Sequence, residues 1–142
     1  MRINTNTSFS MIHSFQLIFR LFRAIISVLI LMHGLARTYH QTIDDFGVFL
    51  NGQGFIIGDI IAYGITVFEI IGGILLFFGK FSKWIAPLFA LELIIGILLV
   101  HSKSGWFVVG HGTNGVEYSI ALIASLILIW AEDHFKPSGI GK

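Results

Sequence analysis

Nine basic residues, eight acidic ones and six histidines are spread over 142 residues. Several of them sit inside apolar runs, where a charge is costly. Arg23, Glu69 and Glu92 are each embedded in such a run. An ionisable side chain near the centre of a bilayer costs ~2.5–3.5 kcal/mol even on the lenient insertion scale, so each needs a partner or a task. At ~1.5 Å rise per residue, Glu69 comes out roughly 15 Å from the end of its run, with Arg23 and Glu92 within about 5 Å of that depth. The sequence therefore predicts a buried Arg23–Glu69–Glu92 group. Two carboxyls and one guanidinium leave one surplus negative charge, so one Glu is expected to hold a proton. Such a group either fixes helix register or serves a proton or a ligand.

A second set falls near the ends of the runs: His33, Asp59, His101, His111 and Glu117. Imidazoles and carboxylates at one level could ligate a metal or hydrogen-bond a quinone headgroup. His33 and His101 could also clasp a haem as axial ligands. No ligand-spacing motif or other cofactor motif is present, so neither metal nor haem is expected, and quinone stays open. His40 and His134 read as interfacial residues without a role. Glu92 and His101 fall on opposite faces of a straight helix; His101, at the helix end, is the one the chain can turn inward.

The elements that must position these groups follow from composition. Only 12% of the residues are charged and 55% are hydrophobic, with a mean hydropathy of +0.84, against roughly 25% charged in a soluble domain. That is an integral membrane protein of one domain, spanning 1–142. A net charge of +1 gives no field for nucleic acid, and the lack of Cys excludes disulfides, thiol chemistry and Cys-ligated metal centres. A helix needs about 20 mostly apolar residues to cross the hydrocarbon core. Four runs approach that, at about 17–36, 55–79, 84–101 and 116–131. None shows the period-two alternation of barrel strands, so an all-α, four-helix antiparallel bundle is expected.

Orientation comes from Lys and Arg. Arg2, Arg20, Arg23, Lys80, Lys83, Lys136 and Lys142 fall on one side, against Arg37 and Lys103 on the other. Both termini are then expected in the cytoplasm and the protein in the inner membrane, with Trp84 and Trp130 at the inner interface. Arg20 to Ala36 has parts of a signal peptide, but the apolar stretch begins earlier, so it reads as a retained span.

Ideal helical spacing puts Gln16, Arg20, Arg23, Ser27, Gly34 and Arg37 on one stripe of span 1. Span 2 aligns Asp59, Ala62, Thr66, Glu69 and Gly73, and span 4 aligns Glu117, Ala121, Ala124 and Ala131. These stripes are the predicted inward faces, since small and polar residues turn away from lipid. Between spans 1 and 2, Thr42 is a plausible N-cap for a short interfacial helix that Asn51-Gly52 ends. The apolar stretch Gly105-Trp106-Phe107-Val108-Val109-Gly110 is expected to dip back against the bundle.

Arg23 followed by His33-Gly34, then Glu69-Ile70-Ile71-Gly72-Gly73-Ile74-Leu75-Leu76 leading to Gly79, resembles the DoxX family of small four-helix membrane proteins. His101 with Gly105-Trp106-Phe107, then Gly115-Val116-Glu117, is similar to the family's third and fourth helix signature. The resemblance covers about residues 17 to 131. Arg37 fits the base that the family carries after its first helix, whereas Glu92 departs from the family pattern. The resemblance implies a small subunit associated with a terminal quinol oxidase and thiosulfate:quinone oxidoreductase. It marks Arg23, His33, Glu69, His101 and Glu117 as positions of interest.

The expected function is a small subunit or accessory of a quinone-linked membrane redox system. Without Cys or a cofactor motif, electron transfer would require a bound quinone or a redox partner subunit. Two other readings remain: a non-enzymatic assembly or scaffold subunit, and a transporter of a small solute or protons through Glu69 and Glu92. Whether the chain is itself an enzyme stays open. Lipid is an expected partner, and oligomerisation stays open.

Overall fold

The computed structural model describes residues 5–110 and 112–135, with side chains described from His13 onward. His111 lies outside the described residues. Among the described residues five α-helices form: α1 (Thr5–Tyr39), α2 (Ile43–Gly52), α3 (Gly58–Phe77), α4 (Ser82–Leu99) and α5 (Glu117–His134). A 3-10 turn, His101–Ser104, follows α4, and no strand occurs among the described residues. Three stretches are long and apolar enough to cross a membrane: His13–Tyr39 in α1, α3 and α4. By itself α5 falls short, because Glu117, Glu132 and Asp133 lie within its 18 residues.

The helices associate mainly as α1 on α3 and α4 on α5, with α2 laid on α3. The α3–α4 and α1–α5 seams are much slighter. Small residues set the α1–α3 distance. A Cβ on Gly34 would lie 3.0 Å from the Thr66 carbonyl oxygen and 3.1 Å from Glu69 Cβ, and one on Gly73 would lie 3.0 Å from Leu31 Cβ. In lipid, where apolar burial gives little drive for association, such close backbone approach supplies the van der Waals attraction. The register is antiparallel: Gly34 opposes Thr66–Ile70, Leu31 opposes Gly73, and Arg23 opposes Gly79.

Between α3 and α4 the chain reverses through a Schellman closure. Lys80 N–H donates to the Leu75 carbonyl at 2.8 Å and Gly79 N–H to Leu76 at 3.0 Å, with Gly79 at φ +68°. That left-handed position is the one glycine fills without strain.

The core comprises Phe19, Ile26 and Ile30 of α1, Leu76 of α3, Ile85, Ala86, Phe89 and Ala90 of α4, and Leu122, Leu126 and Ile129 of α5. Many large apolar side chains outside it stay exposed, among them Ile60, Leu91 and Leu98, as expected of surfaces facing lipid. The α3 stripe is inward as predicted from Ala62 through Thr66, Glu69 and Gly73, but Asp59 is exposed. The α5 stripe is corrected. Ser119, Leu122, Leu126 and Ile129 are its buried face, while Ala121 and Ala124 are exposed. On this seam α4 supplies the small residues, Ala86 and Ala90, so α5 contributes the large ones.

The short helix after span 1 forms as predicted, although Thr42 makes no side-chain cap. It buries Gly47 and Leu50 against the bundle. The apolar loop folds back through its backbone. Gly115, Val116 and Glu117 N–H groups donate to the Phe107, Gly105 and Trp106 carbonyls, while Trp106 and Phe107 stay exposed.

Candidate functional site

α1 ends three residues beyond the predicted span, and this decides which cation meets Glu69. Arg37 lies one turn past Gly34, a point of close α1–α3 approach, and Phe46 of α2 lies against it. With the Phe46 ring 4.6 Å from its Cζ, the guanidinium points into the protein. Nη1 lies 2.8 Å from Glu69 Oε2, and Nη2 donates to Glu69 Oε1 at 3.0 Å. Nη1 also donates to Thr66 Oγ1 at 2.8 Å, and that hydroxyl donates to the Ala62 carbonyl. The two side chains are 18% and 6% exposed, so this is a fork-shaped, largely desolvated ion pair.

The predicted Arg23–Glu69–Glu92 group is therefore corrected in one member. Arg23 lies against Gly79, just past the C-terminal end of α3, and its buried Nε has no partner among the described residues. Depth counting failed because it assumed both helices start at one membrane level. The Gly34 contact instead sets the register and brings Arg37 to Glu69. The legible signal was the stripe, which already aligned Arg37 with Gly34. Glu92 of α4 does share a cavity with Glu69, and its buried Oε2 has no hydrogen-bond partner among the described residues.

Arg37, Glu69 and Glu92 line one cavity of about 240 Å³ with His33 and His101. Apolar walls come from Ile30, Ile65, Phe89 and Leu93, and α2 covers one end through Phe46, Phe49 and Leu50. The sequence had placed the carboxyls and the histidines in two separate layers; the fold merges them. His101 turns inward because α4 ends at Leu99 and the 3-10 turn redirects the chain. Its Nδ1 is 2.8 Å from the Asn114 carbonyl. A carbonyl only accepts, so Nδ1 carries the hydrogen, and the neutral ring keeps its lone pair on Nε2.

Asp59 and Glu117 do not line this cavity; His111 lies outside the described residues. Asp59 accepts from Asn51 Nδ2 at 3.3 Å, and Asn51 Oδ1 accepts the Gly58 N–H at 2.8 Å. This pair locks α2 onto the start of α3. Glu117 Oε1 accepts the Val108 N–H at 2.8 Å, pinning the apolar loop to α5. Among the described residues, no three of His, Cys, Asp and Glu converge as a metal site.

Glu117→Ala should therefore act on the loop alone. Leaving the Val108 N–H unpaired costs about 1–3 kcal/mol locally. Amide exchange at residues 105–110 should accelerate while α1 and α3 keep their protection. Uniformly faster exchange would show that Glu117 supports the whole bundle.

The DoxX family matches residues 17–102, a stretch holding His33, Arg37, Glu69, Glu92 and His101 but not Glu117. A protein of Bacillus subtilis (strain 168) named Putative oxidoreductase CatD is 34% identical over 91 residues, covering 64% of this chain. The match spans 65% of that protein's length, just under two thirds. No solved structure matches the chain at a significant level.

Proposed function

The chain belongs to the DoxX family and is a membrane protein, and on that premise we propose that its cavity binds the polar head of a quinone. The protein then serves as a small subunit or accessory of a quinone-linked membrane redox system. The observation that carries this reading is the convergence of His33, Arg37, Glu69, Glu92 and His101 in one cavity with otherwise apolar walls. A quinone carbonyl needs a hydrogen-bond donor, and a quinol hydroxyl needs an acceptor. Arg37 has donors, His101 Nε2 is an acceptor, and Glu92 Oε2 is a buried oxygen without a hydrogen-bond partner among the described residues. Glu92 lines the cavity beside Arg37 and Glu69, which places its carboxyl to take up one of the protons that quinol oxidation releases. The electrons must pass to a partner, since the chain has no Cys and no cofactor motif.

The same reading takes α5 as a fourth span. Lys83 N–H at the start of α4 donates to Asp133 at the end of α5, and His101 beyond the other end of α4 reaches Asn114 just before α5. α5 therefore runs the full length of α4 and crosses whatever α4 crosses. Both termini then lie together, on the cytoplasmic side of the inner membrane by the Lys and Arg bias. Reporter fusions after Lys142 and within residues 38–54 should read cytoplasm and exterior. A C-terminal reporter on the opposite side from Lys80 would remove α5 from the bundle.

The function itself is tested by gentle purification and mass spectrometry of bound molecules. Quinone should co-purify with the wild type. His33→Ala and His101→Ala should lose it with melting nearly unchanged, since neither side chain carries the α1–α3 contact. Retention of quinone by both variants, or its absence from the wild type, would overturn the reading. The scaffold alternative has its own support, because the Arg37–Glu69 pair ties α1 to α3. It predicts a partner subunit lost from the membrane on deletion, with no bound ligand.

A further inference from the structure

α3 and α4 are consecutive, yet they touch only slightly. Their firm contact is at Gly72, where a Cβ would lie 2.8 Å from Phe89 Cζ, and at the Phe68 and Phe89 rings, whose centroids are 4.6 Å apart. From there toward α2 the helices part, leaving a groove of about 420 Å³ between Ile61, Gly64 and Ile65 of α3 and Leu88, Leu91 and Ile95 of α4. Glu92 is the one ionisable residue along it. Ile65, Glu92 and Ile95 line both this groove and the cavity, so the two volumes adjoin at these side chains. Both helices are candidate membrane spans, which turns the mouth of the groove toward acyl chains.

The other flank of the cavity differs in chemistry. Between α1 and α5, His33 and Arg37 also border a surface groove with His40, Thr42 and Tyr118. That side suits water and proton exchange. The end under α2 is closed by Phe46, Phe49 and Leu50. An apolar chain attached to a head in the cavity thus has its matching exit between α3 and α4.

We infer that the α3–α4 groove is a lateral portal and chain-binding site for a single-chain amphiphile whose hydrogen-bonding head occupies the cavity. The inference rests on the head-site reading above and adds where the ligand enters and where its chain lies. It also assigns Gly64 a role. A Cβ there meets nothing within 4 Å, so the missing side chain serves no helix contact and keeps the groove open.

The test compares two benzoquinones in nanodiscs, one bearing a ten-carbon chain and one with the ring alone, against wild type and Gly64→Phe. The substitution should fill the groove without disturbing packing. Affinity for the chain-bearing compound should fall about tenfold or more, while the ring-only compound binds as before. Adding Leu91→Ala, which reopens the groove from α4, should restore most of the loss. Should Gly64→Phe fail to accumulate, Leu91→Trp narrows the same groove from the other side. No loss for either compound, or equal losses for both, overturns the lateral site and leaves the head-site reading standing. If neither quinone binds the wild type, the quinone reading fails, and the same variants are compared with a ten-carbon alcohol. Loss of the alcohol in Gly64→Phe sustains the groove, and equal binding overturns it.

Discussion

Arg37→Ala is expected to destabilise the protein by about 3–5 kcal/mol, the cost of stranding one member of a desolvated ion pair. Glu69 would keep its Thr66 neighbour but lose both guanidinium contacts, at 2.8 and 3.0 Å. Neutralising the stranded carboxyl should help, so Arg37→Ala with Glu69→Gln should be more stable than Arg37→Ala alone. Thermal unfolding in detergent and the level in the membrane both read this. Arg23 provides the contrast. It sits by Gly79, ten residues or roughly 15 Å along α3 from Glu69, so Arg23→Ala and Glu69→Gln should be additive. Coupling between Arg23 and Glu69, with none between Arg37 and Glu69, would overturn the register described above. Arg37→Lys should recover only part of the stability, because an ammonium cannot match the two-pronged contact.

The second large effect is expected at Gly34. A Cβ there would lie 2.9 Å from Ile70 Cγ1, 3.0 Å from the Thr66 carbonyl oxygen and 3.1 Å from Glu69 Cβ. Two of those three neighbours are held by the α3 backbone and cannot rotate away. Gly34→Leu must therefore push α1 from α3, at about 1–3 kcal/mol for overpacking alone, and carry Arg37 out of reach of Glu69. The protein should melt at a lower temperature, and the Arg37–Glu69 coupling should vanish from a double-mutant cycle. Gly96→Leu is the matched control, since a Cβ there meets nothing within 4 Å. If Gly34→Leu preserved the coupling, the close approach would not be what sets the pair.

These two experiments also separate what could be read from residue order from what could not. Local physics fixed the helices. Apolar runs of near-membrane length, a glycine just past α3 and Asn51-Gly52 at the end of α2 mark the elements to within a few residues. The exception is α1, which extends well before the predicted span. The inward stripe of α3 was legible for the same reason: Ala62, Thr66, Glu69 and Gly73 are small or polar residues at helical spacing, and lipid rejects the polar ones. On α5 that rule misled, because small residues on α4 already met the need for close approach.

The sequence by itself determined an all-α membrane chain of the DoxX type, with ionisable residues that had to be sheltered from lipid. It also singled out His33, Glu69, Glu92 and His101 as residues needing a setting. The tertiary structure decided how they meet. The relative height of two helices depends on contacts between residues far apart in sequence, here Gly34 against Thr66 and Glu69, and no count along one helix can supply it. That height gave Glu69 to Arg37 instead of Arg23. The break after Leu99 brought His101 to the same cavity as Glu92, and α2 turned Arg37 inward by covering its route to water. One cavity replaced two predicted layers because depth along a helix is local, whereas enclosure is a property of all the helices together.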